Sequence, residues 1–215
     1  MKIMKSLVVV AMFALLAGPR ALAGGFVRGS GWYVDYSNSS YESKVGGSGA
    51  GGITLGADNA HELGVEVAHV AFAARGPYTS LSPTSRLGLT GDGNLTPMLA
   101  SYRFYFGTAA DRVRVLVGGL AGAAKVSSSY RFDGSGITWV ASGDQWRGAY
   151  GAMIGVAVRL TPDLHLDAGY RYLDCGSGNL PGVTIASGSI HAVGDMISID
   201  ALKLNVVELG LTLRF

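Results

Sequence analysis

The sequence predicts an all-β protein, an eight-stranded antiparallel transmembrane up-and-down β-barrel. Three observations predict it. Segments that alternate strictly between apolar and polar or tiny residues recur along the chain, the period of a strand. The connections between these segments alternate between short and long. Glycine fills 33 of 215 positions and only 15% of the residues are charged. A soluble domain carries about 25% charged residues, and each glycine in a helix interior would cost roughly 0.8–1 kcal/mol relative to alanine.

Residues 1–23 precede these segments and read as a secretory signal peptide. Lys2 and Lys5 form a basic region, residues 6–16 an apolar one, and Ala21-Leu22-Ala23 a small-x-small cleavage site. The apolar region is too short for the roughly 20 residues of a membrane-spanning helix. The expected barrel domain is therefore 24–215. Cleavage removes Lys2, Lys5 and Arg20, so the basic count falls from 17 to 14 against 15 acidic residues. The precursor pI of 8.7 is then no argument for a nucleic-acid partner, and none is expected. The single cysteine, Cys175, excludes an internal disulfide and a Cys-based zinc site. No cofactor is expected.

The strands follow in order. The first, near 30–38, sets Trp32, Val34 and Tyr36 against Tyr33 and Asp35. In the second, 46–57, Gly46-Gly47 and Gly51-Gly52 erase the alternation. The third, 61–73, follows a turn-like stretch at 57–60 and alternates Leu63, Val65 and Val67 with Glu62, Gly64 and Glu66. Tyr102, Phe104 and Phe106 alternate with Ser101, Arg103 and Tyr105 in the fourth, 95–107. The fifth, 112–125, sets Val113, Val115 and Val117 against Arg112 and Arg114. In the sixth, 145–160, Trp146, Tyr150, Ala152, Ile154, Val156, Val158 and Leu160 face away from Arg147, Met153, Ala157 and Arg159. After Thr161-Pro162-Asp163, the seventh, 164–174, places Leu164, Leu166, Ala168, Tyr170 and Tyr172 opposite His165, Asp167, Gly169 and Arg171. The eighth, 199–215, has the clearest period: Val207, Leu209, Leu211, Leu213 and Phe215 against Glu208, Gly210, Thr212 and Arg214. Nine residues at about 3.3 Å each, tilted by about 40°, rise roughly 20 Å, close to the roughly 25 Å apolar band of a membrane barrel.

Three connections are short (58–60, 108–111, 161–163), and the four between them (39–45, 74–94, 126–144, 175–198) are mostly long and rich in Gly, Ser, Asn and Asp. Bacterial outer-membrane barrels have that asymmetry, with short periplasmic turns and long extracellular loops. The apolar faces should meet lipid, with Trp32, Tyr102, Trp146, Tyr170 and Tyr172 as interfacial girdles. A soluble lipocalin-like barrel would turn its apolar faces inward instead. The expected location is the bacterial outer membrane.

Leu160-Thr161-Pro162-Asp163, the run from Leu166 to Asp174 (Leu-Asp-Ala-Gly-Tyr-Arg-Tyr-Leu-Asp), and the closing Leu209-Gly210-Leu211-Thr212-Leu213-Arg214-Phe215 carry a resemblance. The chain resembles the small eight-stranded outer-membrane barrels that include the OmpA transmembrane domain and the opacity-type adhesins. The resemblance implies that Leu209, Leu211, Leu213 and Phe215 form the terminal signal read by the barrel-assembly machinery. The sequence ends at Phe215, where a peptidoglycan-binding domain would begin, so none is expected.

The inward positions hold Arg103, Arg112, Arg114, Arg147, Arg159, Arg171 and Arg214 against Asp35, Glu62, Glu66, Asp167 and Glu208. Eight strands enclose a lumen that side chains just fill, and a buried charge must be paired. A salt-bridge plug is the expected arrangement, with Arg171 to Glu208 and Glu66 to Arg103 as the expected pairs. The alternative is a narrow gated pore with a slight preference for anions. Catalysis finds little support. His61, His69, His165 and His191 lack the His-x-Ser arrangement of the lipid A deacylases, and His165 with Asp167 supplies two groups where a triad needs three. The glycine run 46–52 lacks the Gly-Lys-Ser/Thr ending of a phosphate loop, and Gly118-x-x-x-Gly122 lies on a strand, where a helix-dimer motif has no meaning.

The expected function is a non-enzymatic surface protein, its barrel an anchor and its extracellular loops serving adhesion or envelope integrity. A small-solute channel and a lipid-modifying enzyme are the alternatives. The expected partners are outer-membrane lipid, lipopolysaccharide and the barrel-assembly machinery. The loops hold scattered aromatics (Tyr78, Tyr130, Phe132) and no dense basic run, so no extracellular partner can be named.

Overall fold

The alternating segments form strands throughout the computed structural model, which describes residues 23–37, 41–56, 58–78, 87–134, 137–186, 189–199 and 201–215. The proposed signal peptide lies outside the described residues except for Ala23. The strands are β1 (Ala23–Tyr36), β2 (Lys44–Leu55), β3 (His61–Tyr78), β4 (Leu87–Phe106), β5 (Val113–Gly134), β6 (Ile137–Arg159), β7 (Leu164–Asp174), β8 (Gly178–Ala186), β9 (Ser189–Ile199) and β10 (Lys203–Arg214). Neighbours in sequence pair antiparallel from β1 to β7, and β10 pairs with both β7 and β1, which closes an eight-stranded ring. The closing seam runs from Phe26 opposite Arg214 to Tyr36 opposite Leu204.

β8 and β9 are not further members of that ring. β8 continues β7 along β6, with Asp174 opposite Tyr150 below and Gly182 opposite Ala141 above. β9 continues β10 along β8 in the same register, Ile199 opposite Gly178 above Lys203 opposite Asp174. Cys175 N donates to Leu202 O at 2.9 Å across the kink between them. Gly176 makes the kink with φ +62°, a conformation that side chains disfavour.

Within the membrane the lower strands are apolar outside and polar inside. Tyr102, Phe106, Val115, Ile154, Tyr170, Leu209, Leu211 and Leu213 are exposed on the outer wall, whereas Glu62, Arg103, Arg114, Asp167, Arg171 and Glu208 are buried within. Above the level of Thr96, Lys125 and Trp146 the sense inverts. There Thr90, Asp92, Asn94, Ser129, Ser142 and Asp144 face outward and exposed, while Leu95, Val126, Tyr130 and Ala141 are buried inside.

This inversion corrects several expectations. The described residues of 74–94 and 126–144 are strand, because a wall standing in water carries its polar residues outside. Tyr130 belongs to β5, with its ring inside. Trp32, Val34 and Tyr36 are buried in the lumen, so Trp32 is not a girdle residue, and Asp35 points outward, where it accepts from Ser43 Oγ at 2.8 Å. The stretch 175–198 holds the β8–β9 hairpin. Pro97 adds a local irregularity: having no N–H to give, it sits where the β3–β4 pairing lapses, between Val67 opposite Met98 and Val70 opposite Leu95.

The lipid-facing wall predicts a penalty for charge that loss of side-chain volume does not carry. Ile154→Arg should cost about 2–4 kcal/mol and Ile154→Ala much less, as expected of a lipid-facing midplane position. Refolding titrations into lipid vesicles measure both, and equal stability of the two variants would show that the side chain does not meet lipid.

Candidate functional site

Charge in the lumen is concentrated in one cluster in its lower half. Arg28 of β1, Arg103 of β4, Arg171 of β7 and Arg214 of β10 meet Glu62 and Glu66 of β3, Asp167 of β7 and Glu208 of β10. Arg171, fully buried, reaches Glu66 Oε1 with Nη1 at 2.6 Å and Glu208 with Nη2. Arg103 Nη2 lies 3.2 Å from Glu208 Oε1, and its Nη1 lies 3.8 Å from Asp167 Oδ2. Arg214 donates to Glu62 Oε1 through Nη2 at 2.7 Å, while Tyr105 donates its hydroxyl to Glu62 Oε2 at 2.9 Å. Arg28 joins the two sides: Nη2 binds Glu62, and Nε lies 3.2 Å from Asp167 Oδ2 and 2.8 Å from Thr212 Oγ1.

Four guanidinium groups thus face four carboxylates. The cluster is formally neutral, and the cations in excess, Arg114, Arg147 and Arg159, lie outside it. Arg171 pairs with Glu208 as expected, but Glu66 takes Arg171 rather than Arg103, because the barrel brings β3 and β7 together across the lumen. Arg28 lies before the first strand that the sequence predicts. The glycines and serine around it (Gly25, Gly29, Ser30, Gly31) hide the alternation, and its only signal is the even parity it shares with Trp32 and Val34.

The remaining inward candidates are separate. Arg114 is buried at the periplasmic mouth, where it donates to Asp58 O at 3.1 Å and lies 4.9 Å from the centre of the Tyr105 ring. Arg159 donates to Ala109 O at 2.9 Å on the same rim. Arg147 lies higher, donating to Gly176 O at 3.2 Å and to Gln145 Oε1 at 3.3 Å. Arg112 is exposed in the turn before β5, so it does not belong to the lumen; its neighbour Val113 opens the strand.

Above the cluster the lumen turns apolar. Arg171 stacks over the Trp32 ring at 4.6 Å, and Trp32 begins a packed layer that includes Val34, Val70, Phe72, Leu95, Leu204 and Val206. Tyr36, Tyr41 and Phe72 form a ring cluster with centroids 5.5–6.4 Å apart, and the Tyr41 and Tyr130 hydroxyls lie 3.2 Å from one another. Cys175 is buried beside it. Its thiol is out of reach of solvent. Among the described residues no group of three or more His, Cys, Asp or Glu is placed to hold a metal ion.

Removing one member of a buried ion cluster leaves its partners uncompensated. Arg171→Ala and Glu66→Ala should each cost about 3–5 kcal/mol, and the double variant clearly less than their sum. The coupling of Glu66 with Arg171 should exceed that of Glu66 with Arg103. Urea titrations of the folded barrel give both cycles, and strict additivity for Glu66 with Arg171 would contradict the pairing.

Known structures share this architecture. The chain is 13% identical to a major outer membrane protein from Thermus thermophilus, with a TM-score of 0.55 over 89% of this chain and 99% of that one. It is 14% identical to the outer membrane protein OprG from Pseudomonas aeruginosa, with a TM-score of 0.51 over 90% and 97%. Neisserial surface protein A is 20% identical over 90% and 99%, with a TM-score of 0.43. The first two likenesses speak to the fold alone. No curated protein matches the sequence. The family model described as outer membrane protein beta-barrel domain matches residues 7–215. With that span matched and the ring closed, the chain belongs to the outer membrane protein beta-barrel domain family, and its place is the bacterial outer membrane.

Proposed function

We propose that this protein is a non-enzymatic surface protein, anchored by its barrel and working through its extracellular strands in adhesion or envelope integrity. The observation that carries the reading is the filled lumen: a neutral ion cluster below and packed aromatic and aliphatic side chains above. A filled lumen favours an anchor over a small-solute channel. The strands invest instead in the extracellular side, where β5 and β6 remain paired up to Gly134 opposite Ile137. His165 argues against catalysis, since its Nε2 is engaged by Arg214 at 3.2 Å while Asp167 is turned toward Arg28 and Thr212. Lipopolysaccharide is the proposed lateral partner, lying against the polar outer wall just above the lipid-facing band.

Planar-bilayer recording separates anchor from channel. The folded protein should give no stable conductance steps; steps that Arg171→Ala enlarges would favour the channel. For adhesion, cells displaying the protein should lose attachment when 178–199 is replaced by a short turn, with the amount of folded barrel unchanged. Undiminished attachment would move the activity elsewhere.

The barrel-assembly machinery is the proposed partner during biogenesis, reading Leu209, Leu211, Leu213 and Phe215. These four side chains are exposed on the outer wall of the closing strand. Deleting Phe215 should sharply reduce folded barrel in outer-membrane fractions, read by heat-modifiable gel mobility. Unchanged amounts would reject the assignment.

A further inference from the structure

The three periplasmic turns and both ends of the barrel chain converge on a polar cavity of about 230 Å³, whose wall includes Thr54, Asn59, Asp163, His165, Arg214 and Phe215. It lies below the ion cluster, at the periplasmic mouth.

One bond sets the chemistry of its wall. Arg214 Nη1 lies 3.2 Å from His165 Nε2. A guanidinium has donors and no acceptor, so Arg214 donates and Nε2 is the bare nitrogen. The proton of the neutral imidazole then sits on Nδ1. His165 is 4% exposed, and its buried Nδ1 has no hydrogen-bond partner in the protein. A buried N–H is costly to leave without an acceptor, so the cavity needs an oxygen there. Asn59 contributes to the same wall. Its Oδ1 is occupied by Thr54 Oγ1 at 3.1 Å, which leaves its amide hydrogens as what it can offer.

The carboxylates of Asp167 and Glu62 lie on the inner side of His165, and two arginines without a carboxylate partner lie near the rim. Arg114, 2% exposed, is held by the backbone carbonyls of Asp58 and Tyr105, and its Nε has no partner. Arg159 bonds the carbonyl of Ala109, itself part of the cavity wall. Among the described residues neither arginine has a carboxylate within ion-pair distance. The one acidic side chain on the wall, Asp163, is exposed.

We infer that this cavity is an oxyanion site open to the periplasm, binding a carboxylate or phosphate group on the Nδ1–H of His165 and the side-chain amide of Asn59. Its volume is below the roughly 300 Å³ at which pockets begin to take whole drug-sized molecules. It therefore receives the anionic head of a ligand. Donors supply the recognition and the nearby arginines the attraction.

The test uses the folded barrel in lipid nanodiscs with ¹⁵N-labelled histidine. Acetate and inorganic phosphate are titrated separately at constant ionic strength, so that the two arms tell a carboxylate ligand from a phosphate one. At least one anion should move the His165 Nδ1 resonance saturably. His165→Gln keeps an acceptor for Arg214 and removes the Nδ1 donor. Asn59→Gly keeps the left-handed backbone, φ 49°, and removes the amide. Each should weaken binding about tenfold or more, the size of one hydrogen bond to a charged group, with heat-modifiable folding unchanged. No saturable shift with either anion, or wild-type affinity in Asn59→Gly, would overturn the assignment and leave an ordered water only as the acceptor.

Discussion

Hydrocarbon offers no partner to a backbone N–H or C=O, so a sheet can cross a membrane only when its first and last strands meet. The β1–β10 seam satisfies that demand, and much else in this barrel follows from it. Closure with eight strands turns every second residue into a lumen only wide enough for side chains. What points inward must interlock. β2 shows how: its inner face is Gly46, Ser48, Ala50 and Gly52, and in register against it stand Trp32, Ser30, Arg28 and Phe26 of β1. The glycine-rich strand is a thin wall set close against β3, where a Cβ at Gly46 would meet the His69 carbonyl and the Val70 side chain. At Gly52 even a methyl group would run into the Leu63 carbonyl.

The same narrowness explains why the charges within the cluster are matched. A buried ion without a counter-ion is expensive, whereas a fully matched cluster is near neutral in its effect on stability. Here matching extends over five strands of the ring, β1, β3, β4, β7 and β10. The cluster therefore ties the sheet across its diameter, which ladder hydrogen bonds cannot do. Arg28 and Arg171 each contact two carboxylates on different strands. Trp32 closes the top of this layer by taking the Arg171 guanidinium on its ring.

How much of this was legible depended on which solvent a residue met. Val207 to Arg214 on β10 and Tyr150 to Val158 on β6 need one inference, because apolar residues facing lipid alternate without interruption with lumen-facing residues that, Met153 apart, are small, polar or charged. Asp167, Arg171, Glu208 and Arg214 were legible for the same reason. The extracellular half was not. Asp92, Asn94 and Ser129 look like loop residues to a reading tuned to lipid, although they alternate with Leu95, Val126 and Tyr130 as a strand in water does. Trp32 was misplaced by the same habit, as an aromatic near a strand end. The partners of Glu66 were illegible on other grounds, since contact across a lumen depends on stagger, which local sequence does not carry. The oxyanion cavity assembles turn residues from three separate hairpins with one end of β10, and no linear motif could announce it.

A strand that changes solvent part-way along is pinned along its own axis. Displacing this barrel toward the periplasm by two residues would preserve inside and outside, yet carry Asn94 and Asp144 into hydrocarbon, where charged and polar groups are strongly disfavoured. Displacing it outward would strip lipid from Leu211, Leu213 and Phe215. The protein therefore acts as a depth gauge. In a membrane of unsuitable thickness the lipid, which deforms at a fraction of a kcal/mol per Å, yields before the strands do, and the barrel imposes its own hydrophobic height on the bilayer around it.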